Sequence, residues 1–157
     1  MNGNSQPLEV AMDFIKRINC GDINALCELM TENHVFQDAL GKRFMGRETM
    51  RVSWTQYLKM VVDYQVHADE FFQTNERLAI FGTASGRYVG PHGPSTKAGN
   101  GAPVPAAAHG VDSALGPNGF WEVPAAWRAT VQDGKIAEWR VYADNQPLRK
   151  LMGDATP

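Results

Sequence analysis

The organisation of the chain is decided in residues 7–38, which read PLEVAMDFIKRINCGDINALCELMTENHVFQD. Apolar side chains recur there at helical spacing, which predicts one helix over 7–18 and a second over 23–30. Gly21 supplies the break after the first helix, and Asp22 is placed to accept the free N–H groups that begin the second. The segment becomes β-like towards its end, so it predicts a helical hairpin followed by a strand.

A third helix and a strand pair are predicted downstream. The strand after the hairpin covers 34–39, and a polar turn at 41–46 leads into a helix with one apolar stripe. That stripe consists of Met50, Trp54, Tyr57, Leu58 and Val61. The period then changes to two from Tyr64 and again over 78–89, which predicts a long antiparallel pair.

The C-terminal part of the chain contains a second hairpin. Asp133-Gly134 is a strong turn signal between two strands predicted over 121–131 and 136–144. The remaining residues, 145–152, form a tail that allows one helical turn. The order of elements is therefore ααβα followed by antiparallel strands.

Residues 90–119 contain seven of the fifteen glycines and five of the nine prolines. Such a stretch has no periodicity and predicts a long loop. Loops of this length are unusual inside a compact domain, where connections run roughly four to six residues. Two interpretations stay open, a mobile insertion or a lid over a cavity.

Composition excludes several classes of protein. The 157 residues suffice for one domain, and their net charge of −2 includes no basic block that would bind nucleic acid. No apolar stretch approaches the ~18 residues of a membrane span, and residues 1–7 lack a secretory pattern, so a cytoplasmic location is expected. Cys20 and Cys27 match neither a redox pair nor a zinc framework and are expected to be buried, reduced thiols. No metal site and no cofactor are predicted.

The order of elements resembles the nuclear-transport-factor-2-like superfamily. Gly21-Asp22 between the helices, Phe36-Gln37-Asp38 at the end of the first strand and the closing Trp139–Asp144 carry the likeness, which covers residues 7–89 and 120–148. Within the superfamily the chain is similar to the SnoaL-like polyketide cyclases, the ketosteroid isomerases and the limonene-epoxide hydrolases. The resemblance implies an α+β cone-shaped half-barrel, with N-terminal helices packed in a curved mixed or antiparallel sheet around a deep apolar pocket.

Aromatic residues are numerous enough to line such a pocket. The chain has four Trp, four Tyr and seven Phe, spread over almost every element. The residues expected to contact substrate are Phe14, Trp54, Tyr57, Tyr88, Trp127 and Tyr142. The alternative for each ring is a place in the ordinary core.

Two carboxylates fall on catalytic positions of the related families. The resemblance places Asp38 where ketosteroid isomerases keep the base that abstracts a proton, and Asp144 where the epoxide hydrolases and cyclases keep an acid or base. A cavity that disfavours charge suits a carboxylate that moves protons. Alternatively, Asp38 caps the following turn, and Asp144 caps the tail or pairs with Arg140. Asp144 shares a strand face with Tyr142.

Other parts of the related active sites are missing. The isomerase oxyanion tyrosine falls on Phe14 and the protonated aspartic acid falls on Ala125 or Ala126, which disfavours steroid isomerisation. A replacement donor stays open among Arg87, Tyr57, Tyr142 and His109.

Arg87 matches the arginine of the epoxide-hydrolase Asp-Arg-Asp set, but the second aspartate falls on Val89, so that hydrolytic set is incomplete. Arg87 is alternatively a surface residue. His109, in the long loop, is a candidate general acid.

These residues lead to one functional hypothesis and two alternatives. The hypothesis is a cofactor-independent acid–base enzyme acting on a small apolar, aromatic or polyketide-like substrate by cyclisation, isomerisation or lyase chemistry. Its candidate catalytic residues are Asp38, Asp144, Arg87 and His109. The alternatives are a non-catalytic ligand-binding or dimerisation domain, and hydrolysis like that of the epoxide hydrolases. A homodimer through the outer sheet face fits each of them.

Overall fold

A computed structural model describes residues 6–91 and 115–153 of the chain. The elements follow the predicted order with one added strand. They are α1 (Gln6–Cys20), α2 (Ile23–Glu28), β1 (Met30–Gln37), β2 (Arg43–Met45), α3 (Arg47–Met60), β3 (Val61–Thr74), β4 (Arg77–Tyr88), β5 (Phe120–Gln132), β6 (Lys135–Ala143) and α4 (Gln146–Leu151). The six strands form one curved, unclosed sheet in the order β2-β1-β6-β5-β4-β3. Its pairs are antiparallel except β1 with β6, so the predicted α+β class with a mixed sheet is confirmed.

The boundaries differ from the sequence prediction where strand pairing competes with helical periodicity. Met30 and Val61, both expected on helices, instead begin β1 and β3. Met30 pairs with Ile136 of β6 and Val61 pairs with Tyr88 of β4, so ladder hydrogen bonds outweigh the local pattern. The predicted polar turn contains β2, which pairs with β1 at the sheet edge.

The long loop is described only at its ends, because residues 92–114 lie outside the described part of the chain. Pro117–Gly119 form a 3₁₀ turn before β5. Both cysteines are free; Cys27 is buried, whereas Cys20 is exposed at the end of α1, contrary to expectation.

Register shifts in the ladders bend the sheet. The β3–β4 pairing shifts between Val62 and Gln65 and again between Ala68 and Glu70. At the second shift the strands approach closely, since a Cβ added to Gly82 would lie 1.8 Å from the carbonyl oxygen of His67. Bulges of this kind increase local twist, and they turn the sheet into a concave surface.

Helix α1 packs against the sheet and fills one end of this concavity. Its buried face is Ala11, Phe14, Ile15 and Ile18. The side chain of Asn19 accepts from the N–H of Val66 at 2.7 Å and donates to its carbonyl at 2.9 Å, so it pairs with β3 as a neighbouring strand would. We call the region around the buried rings of Phe14 and Trp127 the filled end.

Strand β5 shows the alternation that separates the two faces. Its buried residues are Trp121, Val123, Ala125, Trp127, Ala129 and Val131, and the residues between them lie on the outer face. One strand therefore supplies the inner wall along its whole length.

Candidate functional site

A cavity of about 340 Å³ occupies the other end of the concavity, which we call the open end. The lining residues come from β1, β2, α3, β3, β4, β5, β6 and α4 and the turns beside them. They are Phe36, Asp38, Ala39, Phe44, Met50, Ser53, Trp54, Gln56, Tyr57, Met60, Tyr64, Ala84, Trp121, Val123, Trp139, Val141, Ala143, Asn145 and Leu148. The volume lies within the range of small-molecule sites, about 300–1,000 Å³.

Helix α3 supplies the largest share of this wall, and a glycine of β4 makes room for one of its rings. On α3, helical spacing places Met50, Trp54 and Tyr57 on one face. On β4, Gly86 leaves space for the facing indole, because a Cβ there would lie 3.2 Å from the ring of Trp121. A glycine inside a strand thus makes room for a large lining ring.

Neighbouring rings form a continuous aromatic wall. Ring centroids are separated by 6.2 Å for Phe36 and Trp54, 6.1 Å for Trp54 and Tyr57, and 5.4 Å for Tyr57 and Tyr64. Tyr64 continues the wall to Trp121 at 6.1 Å. The planes of Tyr57 and Tyr64 stand at 86°, an edge-to-face arrangement that aromatic pairs favour.

Two phenol groups supply hydrogen-bond donors. Burial raises the pKa of Tyr57 well above its ordinary value, and the nearby Tyr64 raises it further. Burial also raises the pKa of Tyr64. Both hydroxyls are therefore neutral at physiological pH, and neither makes a hydrogen bond within the described part of the chain. They are available to a bound oxygen atom.

Asp38 lines the cavity directly after β1 and also holds the turn that follows. Its Oδ1 accepts the N–H groups of Leu40 and Lys42, each at 2.9 Å. Its Oδ2 accepts no hydrogen bond from any described residue. Both interpretations of Asp38 from the sequence therefore hold geometrically, since one oxygen caps a turn while the residue faces the cavity.

The structure does not bring Asp144 to the described cavity wall. On β6 the cavity-lining residues are Trp139, Val141 and Ala143, so the alternate positions face outward. Asp144 is exposed, and its Oδ1 accepts the N–H of Gln146 at 2.9 Å at the start of α4. The next residue, Asn145, lines the cavity instead.

The other proposed acid and oxyanion groups also lie elsewhere. Arg87 is on the outer side of β4, where it forms an ion pair with Asp63 at 3.2 Å. Tyr142 is 43 % exposed on the outer face, with the guanidinium of Arg140 lying 4.6 Å from its ring centroid. His109 lies outside the described residues.

The aromatic residues predicted to bind substrate divide between the two ends. Trp54 and Tyr57 line the cavity. Phe14 and Trp127 are buried in the filled end, and the half-buried Tyr88 is not among the described lining residues.

Five lining rings were missed by sequence reasoning: Phe36, Phe44, Tyr64, Trp121 and Trp139. Strand parity could have found two of them, because Trp121 is six residues from Trp127 and Tyr64 is two from the buried Val66.

The described lining residues include one carboxylate and no Lys, Arg or His. Within residues 6–91 and 115–153, no cluster of three potential metal ligands occurs. Among the helices of the same residues, none has the length and apolarity needed to cross a membrane.

Comparison with known proteins places the chain in a family. The model of the SnoaL-like domain family matches residues 11–139. No curated protein sequence matches the chain.

Solved structures share the fold at low sequence identity. A Jannaschia protein named as a SnoaL-like polyketide cyclase is 15 % identical with a TM-score of 0.72, over 100 % of this chain and 97 % of that one. A ketosteroid isomerase-like protein from Catenulispora acidiphila, in complex with trimethylamine, is 17 % identical with a TM-score of 0.68, over 95 % and 98 %. An LEH-like epoxide hydrolase from M. tuberculosis is 12 % identical with a TM-score of 0.67, over 94 % and 89 %. Identities this low establish the fold alone.

Proposed function

We propose that this chain, which belongs to the SnoaL-like domain family, is a single-domain, cofactor-independent enzyme that moves a proton on a small, largely apolar substrate. The observation that carries the proposal is the position of Asp38. It is the only carboxylate among the described lining residues, and rings surround much of the cavity. Isomerisation, aldol cyclisation and β-elimination of a carbonyl compound can each begin with the same step, removal of a proton from the carbon beside the carbonyl.

The two oxygens of Asp38 have different environments, and this difference suits a base. Two backbone N–H groups hold Oδ1, so the carboxylate is fixed in place. Oδ2 is left to accept a proton from a carbon beside a carbonyl group. The electron pair of the broken C–H bond moves to the carbonyl oxygen, which becomes an enolate.

The hydroxyl groups of Tyr57 and Tyr64 are the donors best placed to stabilise that enolate. Both are neutral and lack protein partners among the described residues, which is the state required of a donor. Protonated Asp38 can then return the proton to another carbon, which completes an isomerisation. Alternatively the enolate carbon attacks a second carbonyl, the new carbon–carbon bond closes a ring, and the proton held by Asp38 passes to the alkoxide oxygen that forms. Asp38 alone thus performs both proton transfers, which the hypothesis from the sequence had shared between Asp38 and Asp144.

Proton exchange tests this assignment without knowledge of the natural substrate. A panel of small cyclic and aromatic ketones is incubated in D₂O, and loss of the α-proton signals is followed by NMR. We expect Asp38→Asn to lower the exchange rate at least about a hundredfold, because a general base typically contributes 10²–10⁴-fold. Asp144→Asn is the matched control, since both carboxylates accept backbone N–H groups that Asn can also cap. Unchanged exchange in Asp38→Asn would refute the proposal.

A non-catalytic binding domain is the second candidate. It is favoured by the absence of a second carboxylate, and of any Lys, Arg or His, among the described lining residues. This alternative predicts ligands that bind equally to wild type and Asp38→Asn, with no exchange in either. The binding panel includes a small amine, because the C. acidiphila neighbour is a complex with trimethylamine. Epoxide hydrolysis is less well supported, because neither Arg87 nor Asp144 is a described lining residue.

We also propose a homodimer through the outer sheet face. Phe72 and Phe81 are 59 % and 46 % exposed there, and Tyr142 and Ala126 continue this row across β6 and β5 to Phe81. An apolar row on one sheet face requires cover. Light scattering at micromolar concentration should give a dimer, and Phe81→Glu should give a monomer. Val52→Glu, at an exposed position on α3, is the control.

A further inference from the structure

We infer that the cavity selects a ligand carrying a positively charged, alkylated amine, with Asp38 as its counter-ion and the rings of Trp54, Tyr57 and Tyr64 around it. The inference rests on the proposed function and names its substrate class. It begins from the charge of the wall. Asp38 is the one charged side chain among the described lining residues, in a wall that is otherwise uncharged and largely apolar. A neutral ligand that closed the cavity would desolvate this carboxylate without replacing its water, whereas a cation would pair with it.

The three rings adjoin one another in the wall, with two pairs nearly perpendicular and the third, Trp54 with Tyr64, tilted at 51°. Their centroids lie 5.4 to 6.1 Å from one another. Tyr57 is nearly perpendicular to Trp54, at 85°, and to Tyr64, at 86°. The face of each ring is negative, and a cation is attracted within about 6 Å of a ring centroid. Rings this close and at right angles allow one ammonium group to contact more than one of them. Its methyl or methylene groups would fill apolar space at the same time.

The chain itself provides an ammonium contact to another ring of the same cavity. Lys42 Nζ lies 5.0 Å from the ring centroid of Phe44, a lining residue. Lys42 belongs to the turn that Asp38 holds through the Lys42 N–H. A cation therefore already lies against this wall from outside, although Lys42 is not a lining residue.

The proposed chemistry also benefits from a cationic substrate. Removal of a carbon-bound proton creates a negative enolate, and the described lining residues include no Lys, Arg or His to balance it. The phenols of Tyr57 and Tyr64 donate hydrogen bonds but carry no charge. An ammonium group within the substrate supplies the missing positive charge.

Two ligands of nearly the same shape test the inference. Choline and 3,3-dimethyl-1-butanol differ in the central atom of their bulky group, a positive nitrogen in choline and a neutral carbon in the alcohol. Isothermal titration calorimetry on the full chain should show choline binding about tenfold more tightly, the scale of a desolvated cation–π contact. Asp38→Asn and Tyr57→Leu should each weaken choline at least about fivefold and change the alcohol by less than about twofold.

Control variants separate this effect from general damage. Tyr57→Phe keeps the ring and should retain the affinity for choline, which distinguishes a ring contact from a hydroxyl contact. Asp144→Asn and Tyr142→Leu alter the same residue types outside the described wall and should leave choline binding unchanged. A thermal melt of each variant identifies those that fail to fold.

The outcomes also separate this inference from the proposed function. Equal affinity for the two ligands, no binding of choline, or choline binding that ignores both Asp38→Asn and Tyr57→Leu would each overturn the cationic ligand. Proton exchange that depends on Asp38 would still support the proposed enzyme in those cases. A preference for choline together with exchange that ignores Asp38 would support the ligand class and refute the base.

Discussion

Trp127 and Trp121 lie six residues apart on the inner face of β5 and are almost equally buried, at 1 % and 3 % exposure. Trp127 is in the filled end, where it stacks on Trp139 at 6.3 Å, and Trp139 contacts Phe14 of α1 at 4.9 Å. Trp121 is at the open end, where it contacts Tyr64, and no residue of α1 lies in the described wall. Burial does not distinguish a core ring from a lining ring; what covers the ring does.

The largest effect is expected from truncation in the filled end. Phe14→Ala should lower the free energy of unfolding by about 3–5 kcal/mol, because the fully buried ring leaves a cavity between α1 and the sheet. Tyr57→Ala should cost less than half as much, since the Tyr57 ring borders the cavity and is packed on fewer sides than the fully buried Phe14 ring. Urea denaturation measures both. Equal losses would mean that the two ends do not differ in packing.

Gly86→Ala tests how closely the residues behind the open end are packed. In Gly86→Ala the new Cβ would lie 2.5 Å from Val61 Cγ1 and 3.2 Å from the ring of Trp121. Overpacking of this kind costs about 1–3 kcal/mol. Trp121 should move towards the cavity and weaken choline binding in calorimetry.

Val61→Ala removes the closer of the two clashes. In the double variant, Gly86→Ala should therefore cost less than it does alone, a coupling that denaturation of the four proteins measures. Strictly additive losses would contradict the proposed clash.

Lowering the pH should decrease the free energy of unfolding because of His34, which lies in the filled end. Its side chain is fully buried 6.2 Å from the Phe14 ring, and Nδ1 donates to the carbonyl of Ile136 at 2.8 Å. Burial lowers the pKa of His34 below its ordinary value of 6.5. At pH values above 6.5, protonation of His34 therefore does not affect the free energy of unfolding. This free energy falls as the pH drops below 6.5, because the unfolded chain takes up a proton that the native chain excludes.

The loss from this one group is at most about 1.4 kcal/mol per pH unit. Denaturation between neutral pH and pH 5 measures it against two variants. His34→Leu should remove this part of the slope, whereas His67→Gln, at an exposed histidine, should keep it. A slope unchanged in His34→Leu would assign the acid sensitivity to other groups.

The smallest effect is expected on the outer side of β4. Arg87 is 45 % exposed in its pair with Asp63, and exposed pairs contribute about 0–1 kcal/mol. Arg87→Ala should therefore change stability by no more than that and leave choline affinity and proton exchange unchanged. A large loss of exchange would place Arg87 in the site, contrary to its position here.

The sequence predicted the elements better than the site for a physical reason. Helical periodicity identified the apolar faces of α1 and α3, and the likeness over residues 7–89 and 120–148 indicated how the elements assemble. Parity correctly linked Asp144 with Tyr142 but could not say which face of β6 is covered. Which face of β6 is covered depends on where α1 packs and on how the bulges bend the sheet. In the structure, both residues lie on the outer side. Asp38 was singled out by the resemblance, which places it without a gap from α1 onward, and the structure puts it in the cavity wall directly after β1.

The parallel contact between β1 and β6 has a consequence for the order of folding. His34 and Ile136, joined by a hydrogen bond across these strands, are 102 residues apart in the chain. The cavity wall likewise combines Phe36 with Leu148. Contacts between residues so far apart in the chain slow folding, because the entropy of closing the long intervening loop is lost before the contact can stabilise the fold. Because the wall combines residues from β1 to α4, the complete cavity can exist only after the chain has been synthesised through Leu148.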